Sequence, residues 1–416
     1  MTAEIISVGD ELLIGQVLNT NQAYIAERLN SVGISVDRMT TVGDNEPGIL
    51  GSFQQALDRC DVVTVTGGLG PTHDDITRAA VCRFFQTDLV VDESARENIK
   101  QIFLRRGFPL TKLNEEQALV PRGSTVIQNR YGTAPGYLLV RNGKYFIVMP
   151  GVPSEMKGMM DNFVIPYFEK HSSGVVIRHR TLKTTGIPES FLAERIGDVN
   201  RLFPPDSGVT LAFLPSPMGV RLRISAKAKS GGEAERAIKE VEASIREKAA
   251  KYIYAADEDE LEHVVGRLLT ARKLRVAIAE SCTGGLIADR VTNVPGSSNY
   301  FERGLTAYSD DSKLAELGLP SALLQQYGAV SREVAEAMAM GVRMKSNVDI
   351  GVSTTGVAGP TGGSPEKPVG LVWVGYSDKR ETLALKFNFG DQRLRVKERT
   401  AQAALELLRR KLLKLD

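Results

Sequence analysis

The sequence predicts an α/β protein in three successive units, two of them built on largely parallel sheets. Three observations predict it. Short apolar runs alternate with segments of helical apolar spacing along residues 1–170, and again along 257–416. Glycine-rich turns close several of the apolar runs, where a parallel sheet presents its ligand-binding edge. Between these stretches, residues 171–256 have a different order: strand, helix, two strands, helix.

In the first unit, Glu4 to Val8 is short and apolar and reads as a strand. Asn19 to Leu29 has apolar residues at helical spacing, Ser35 to Val42 is strand-like, and Ile49 to Leu57 is helical. Asp61 to Thr66 is a compact strand ending in Gly67-Gly68. Both glycine-bearing turns, VGDELLIG and TGGLGPTHDD, fall at strand ends.

In the second unit, Val175 to Thr185 is a long strand and Glu189 to Val199 a helix. Val209 to Leu214 and Val220 to Lys227 form a hairpin around Pro215-Ser216-Pro217-Met218-Gly219. Glu233 to Lys251 is a charged amphipathic helix. The order is that of nucleic-acid-binding KH units, but the GxxG backbone clamp is missing. The unit therefore reads as an α+β connector, and nucleic acid is not expected as a partner.

In the third unit, Leu261 to Arg272 is a helix and 274–279 a buried strand, succeeded by a helix from Leu286 to Val291. Arg332 to Lys345 is helical, with apolar residues at 334, 335, 338, 339 and 342. Ile350 to Ser353, Leu371 to Tyr376 and Thr382 to Phe389 are strands, and Arg395 to Leu413 is a long helix.

Composition narrows the function. Fifty-two basic residues against fifty acidic give +2, so no overall bias toward polyanions exists. Three widely spaced cysteines make neither a disulfide framework nor a zinc pattern, and they suit a reducing compartment. No signal sequence and no membrane-length apolar stretch is read, so a cytoplasmic protein without membrane partners is expected.

The chemistry concentrates at AESCTGG, Ala279 to Gly285. Ser281 stands at a strand-to-helix turn, where a hydroxyl among free N–H groups suits acyl transfer. The plainer alternative is a helix N-cap. Serine needs a base, and the four histidines, His73, His171, His179 and His263, all lie outside this motif-rich stretch. Lys313 is the substitute, provided that desolvation or nearby positive charge brings its pKa well below ~10.4. Tyr308 stands five positions earlier and can relay a proton or orient the amine. Thr355 closes a strand before Gly356 and can hold the substrate amide or the lysine. Thr283, Gly284 and Gly285 line the nucleophile turn, with amides near the two glycines as oxyanion donors, and Gly356 and Gly359 line a second glycine loop.

The run AESCTGGLIADRVTNVPGSSNYFERGLTAYSDDSK, with TTGVAGPTGGSPEKPVGLVWVGY, resembles the C-terminal domain of the CinA (competence/damage-inducible protein A) family. The resemblance implies nicotinamide mononucleotide deamidase activity without a cofactor. It places the nucleophile on Ser281, with Tyr308, Lys313 and Thr355 as its catalytic partners. A family arginine falls on Arg393 or Arg395, since Phe389-Gly390-Asp391-Gln392-Arg393 carries one extra residue. Asp310 stands where the family usually has asparagine, and its charge is expected to raise the pKa of Lys313.

In the first unit, VTGGLGPTHDDITR places two carboxylates at a helix start, without the Gly-Lys-Ser/Thr end of a P-loop. Asp74 and Asp75 can hold Mg²⁺ against a diphosphate, and Asp10 can complete the pocket. Lone His73 is not read as a ligand. VGDELLIGQVLNTN, GGLGPTHDDITR, Asn114 with Gln117-Ala118, YGTAPGY and MPGVPSEM resemble the CinA N-terminal domain, which is related to molybdopterin-binding folds. That resemblance implies ADP-ribose hydrolysis with a divalent metal and potassium, lined by Gly68, Gly70 and Thr72 with the three aspartates. The alternative is a pterin- or nucleotide-binding module without catalysis, or a competence scaffold. The expected domains are thus a molybdopterin-binding-like unit (1–170), the connector (171–256) and a deamidase (257–416), in a chain expected to form a homodimer.

Overall fold

The computed structural model describes every residue except His73, Asp74, Ser172, Ser173, Val175 and Asp416. The chain forms two compact units, Met1–Arg178 with Ala226–Ala237, and His179–Ser225 with Ile238–Asp416.

The first unit holds strands β1 (Thr2–Val8), β2 (Ser35–Val42), β3 (Val62–Thr66), β4 (Thr125–Ile127), β5 (Gly136–Arg141) and β6 (Lys144–Met149), in the order β2-β1-β3-β6-β5-β4. The first four in that order run parallel, and β5 and β4 add antiparallel strands. Every residue of β3 is buried, as a strand covered on both faces requires. Helix α1 (Thr20–Ser31) sends Ile25 and Leu29 into one core with Met156 and Phe168. Helix α2 (Glu46–Arg59) packs Phe53 edge-on against Phe146, 4.9 Å between centroids, on the other face, beside α3 (Thr77–Phe85). Register aligns Ser7 with Thr66, and Thr66 with Met149, so three strands end together. Because β1 lies between β2 and β3, its carboxyl end is a topological switch point.

The connector sheet comprises β7 (Val176–Thr184), β8 (Val209–Ser216), β9 (Gly219–Ala228) and β10 (Ile253–Ala256), ordered β8-β9-β7-β10, with helix α4 (Gly231–Ala249). In β9, Val220, Leu222, Ile224 and Ala226 are buried while Arg221 and Arg223 face out. That alternation marks a sheet with one covered face.

The C-terminal domain contains α5 (Leu261–Arg272), β11 (Val276–Glu280), α6 (Leu286–Thr292), β12 (Phe301–Thr306), α7 (Asp310–Leu317), α8 (Ser321–Tyr327), α9 (Arg332–Ser346), β13 (Ile350–Gly356), β14 (Leu371–Ser377), β15 (Thr382–Asn388) and α10 (Arg393–Leu413). The sheet order is β12-β11-β13-β14-β15, with the first three parallel and the last two antiparallel. Val276 and Ile278 point into a core with α5, α6 and α10. Ala277 and Ala279 point the other way, among Leu317, Val334 and Met338. Here too the first strand lies between the next two, so the carboxyl end of β11 is the switch point. Among the described residues no helix is long and apolar enough to cross a membrane.

Candidate active site

Ser281 comes directly after Glu280, the last residue of β11, and its N–H donates to the Thr354 carbonyl of β13 at 3.0 Å. It continues the row of Ala277 and Ala279, which faces α7 and α9. On β13, Ser353 donates to the Ala335 carbonyl and Thr355 to the Ala329 carbonyl at 2.7 Å, so both occupy that same face. The pairing of Glu280 with Thr354 makes Ser281 and Thr355 neighbours across the strand ends. Ser281 is not the cap of the next helix; Gly285 holds that position, with φ of 93°.

Lys313 lies on α7, whose Leu317 belongs to the same core. It is 1% exposed, and this burial holds its amine below the ordinary lysine value. The Asp310 carboxylate, 3.7 Å away, pushes the other way and does not reverse the shift, because Asp310 is largely exposed. The Lys313 Nζ donates to the carbonyls of Tyr308 at 3.0 Å and Ser309 at 3.3 Å. A neutral amine has two N–H bonds, so these two carbonyls can use both and leave the lone pair for a third partner.

A buried carboxylate that sequence reasoning missed organises the nucleophile turn. Glu280 is 1% exposed and accepts from the amides of Gly285, Ile287 and Ala288 at 3.0, 3.1 and 2.9 Å. It neutralises the amino end of α6 and fixes the loop around Ser281. The readable signal was an acid closing an otherwise apolar strand, VAIAE. The Gly285 amide is thereby engaged, and the Gly284 amide donates to the Ser281 carbonyl at 3.1 Å. Neither glycine amide is therefore open to an oxyanion. Among the described residues, the amides of Cys282 and Thr283 find no acceptor in another residue; Thr283 is fully buried, so of the two the Cys282 amide is the candidate donor to an oxyanion. Burial pushes the neighbouring Cys282 thiol up to about 12, which keeps it un-ionised at neutral pH.

The remaining predicted residues divide. The Thr283 hydroxyl is buried against that of Thr354 at 2.7 Å, on the far side of the sheet from Thr355. The Tyr308 ring is exposed; its phenol oxygen accepts from Arg393 Nη2 at 2.9 Å, while its carbonyl, not its phenol, meets Lys313. Arg393 also donates from Nη1 to the Gly359 carbonyl at 2.8 Å, tying the second glycine loop to Tyr308. Of the two candidate arginines, the geometry thus favours Arg393, and Arg395 stays exposed. Gly356 lies where a side chain would meet the Leu371 carbonyl at 2.7 Å, so it serves strand packing against β14. Lys397, one turn along α10, was also missed. Its ammonium sits 3.6 Å from where a side chain at Gly284 would begin. A cleft of about 810 Å³ lies elsewhere in this unit, between the connector hairpin at Pro215–Gly219 and the faces of β15 and α10. Neither Ser281 nor Lys313 lines it.

In the first unit, Asp10 and Asp44 exchange bonds at the end of β1: each carboxylate accepts the other's amide, at 2.9 and 3.1 Å. Asp75 accepts from the Thr72 amide at 2.9 Å and from the Thr72 hydroxyl. Gly70 has the Asp75 carboxylate where its side chain would be, and Gly68 has Thr77 there, so both glycines serve the tight fold of this turn. The nearby motifs have structural work. Buried Asn21 donates to the Gly151 carbonyl at 2.7 Å, and Asn129 receives the amides of Tyr131 and Gly132. Asp74, named as a metal ligand, and His73 lie outside the described residues. Among the described residues no three metal-ligating side chains converge. The bonds of Asp10 and Asp75 organise turns.

Comparison with known proteins agrees with this anatomy. Residues 258–412 match the family model of the CinA C-terminal domain, 4–170 that described as "Probable molybdopterin binding domain", and 179–255 that of the damage-inducible protein CinA KH domain. A CinA-like protein of Chloroherpeton thalassium is 46% identical over 417 residues, spanning 98% of this chain and 99% of its own. The chain belongs to the CinA family. A CinA-like protein of Dictyoglomus thermophilum is 44% identical over the full length of both chains. Among solved structures, a competence/damage inducible protein of Agrobacterium tumefaciens is 41% identical, covering 36% of this chain and 91% of its own at a TM-score of 0.35. As a CinA protein, the chain joins a molybdopterin-binding-type domain, a KH-type connector and the CinA C-terminal domain.

Proposed function

We propose that the C-terminal domain is a serine–lysine amidase that converts nicotinamide mononucleotide to nicotinic acid mononucleotide and ammonia. The observation that carries this reading is the desolvated amine of Lys313, borne by α7, the helix that packs on the sheet face of Ala277, Ala279 and Thr355 at the strand end before Ser281. In the proposed cycle, Lys313 takes the Ser281 proton as the hydroxyl oxygen attacks the carboxamide carbon. The Cys282 amide donates to the oxyanion. Lys313 then returns the proton to the departing nitrogen, which leaves as ammonia. Water hydrolyses the serine ester by the same proton path and releases the carboxylic acid. A pyridinium ring suits this site twice: it withdraws electrons from the carbonyl, and its charge disfavours the protonated lysine.

The direct test is ammonia release from nicotinamide mononucleotide, with nicotinamide riboside and glutamine as controls. Turnover by the intact protein and its loss in Ser281→Ala are expected. Equal activity in the variant would end the reading.

For the N-terminal domain, the proposal is a nucleotide- or pterin-type ligand bound at the switch point beside Asp10 and Asp75. Asp74, which would join Asp10 and Asp75 in a metal-dependent diphosphatase site, lies outside the described residues. Release of AMP from ADP-ribose on adding Mg²⁺ would overturn this proposal and restore the diphosphatase reading.

A further inference from the structure

We propose that Lys397 recognises a phosphate ester on the substrate and makes the C-terminal site selective for nucleotides over nucleosides; the substrate rests on the amidase reading above. The Lys397 ammonium stands beside Gly284, 3.6 Å from where a side chain there would begin. Gly284 is exposed, with φ of +62° and no other neighbour within 4 Å of that point, so the cation faces an open glycine surface. Among the described residues Lys397 has no ion-pair partner. The other nearby cation on α10, Arg393, has both terminal nitrogens engaged, by the Tyr308 phenol and the Gly359 carbonyl. Asp310 bears on Lys313 instead, through its contact at 3.7 Å. One ammonium beside the nucleophile turn is thus left for an anion.

The separation suits a mononucleotide. Gly284 is one tight turn from Ser281, linked by the bond from its amide to the Ser281 carbonyl. A ribose separates the phosphate of a pyridine mononucleotide from its carboxamide. The phosphate-binding cation must therefore stand across a turn from the nucleophile and not against it. Lysine supplies a point charge for such a group, and the backbone of a glycine lets the anion approach closely.

The experiment compares ammonia release from nicotinamide mononucleotide and nicotinamide riboside by the full chain, by Lys397→Met and by Lys397→Arg. The wild-type preference for the mononucleotide, as kcat/KM, is expected to fall about 10- to 100-fold in Lys397→Met. The change should enter through KM, and Lys397→Arg should restore most of it. KM for the mononucleotide should rise with salt in the wild type and in Lys397→Arg, and far less in Lys397→Met. An unaltered preference in Lys397→Met, or an equal loss on both substrates, overturns the proposal. If the wild type releases no ammonia from either compound, the amidase reading fails separately. Calorimetric titration of nicotinic acid mononucleotide into wild type and Lys397→Met then decides: weaker binding by the variant supports the phosphate contact, and equal or absent binding by both rejects it.

Discussion

The N-terminal and C-terminal domains place their candidate sites by one rule and complete them differently. Each begins with a strand that ends up between the second and third strands of its sheet, so a turn opens at a switch point. In the C-terminal domain that turn is held from below. Glu280 is buried and engages three amides, Lys313 is buried and engages two carbonyls, and Thr355 is anchored to Ala329. In the N-terminal domain the corresponding groups stay near the surface. Asp10 and Thr72 are exposed, and the aspartates hold one another's turns. The difference teaches that a switch point supplies a location, whereas reactivity at neutral pH needs desolvated groups with fixed partners.

Experiments can break this contrast. The largest effect is expected from Ser281→Ala, which should lower ammonia release by about 10⁴- to 10⁶-fold while circular dichroism and the unfolding midpoint stay near wild type. Persistent turnover would move the nucleophile elsewhere. Next, Lys313→Met should lower kcat by about 10²- to 10⁴-fold, with stability retained or raised, because a buried amine is replaced by an apolar chain of similar length. A loss of folding would instead assign Lys313 a structural role. Glu280→Ala removes the acceptor of three amides and should cost at least about 2 kcal/mol in chemical denaturation, together with activity. Asp75→Asn, on the exposed turn of the other domain, should cost clearly less.

The pH dependence sharpens the comparison further. The amidase needs Lys313 neutral, so its rate should rise with pH through the lowered lysine pKa and level off above it. Asp310 holds that pKa up, so Asp310→Asn should move the rising limb to lower pH. A shift to higher pH would mean that the carboxylate does not act on Lys313. The smallest effect is expected from chelation: EDTA should leave ammonia release unchanged, since the proposed cycle uses no metal.

Much of this was legible in the sequence because it depended on local pattern. Buried strands such as Val62–Thr66 and Val276–Glu280 are continuous apolar runs, and α9 carries its core residues at helical spacing. The edge strand Phe301–Thr306 was not legible. Its Glu302, Arg303 and Gly304 give no alternation, because an edge strand with partly exposed faces has little to bury. The closing strand of the connector, Ile253–Ala256, is four residues long and escaped for want of length.

The sequence by itself determined which residue types stand at the two switch points, since order along the chain sets the turn that closes each strand. It also determined the family, through motifs carried by contiguous residues. Only the tertiary structure decided what those residues can do. Burial of Lys313 depends on α7 packing against the sheet, and the commitment of Arg393 to Tyr308 and Gly359 depends on residues 85 and 34 positions away. Desolvation and hydrogen-bond partners are properties of a place in space, and no local pattern encodes them.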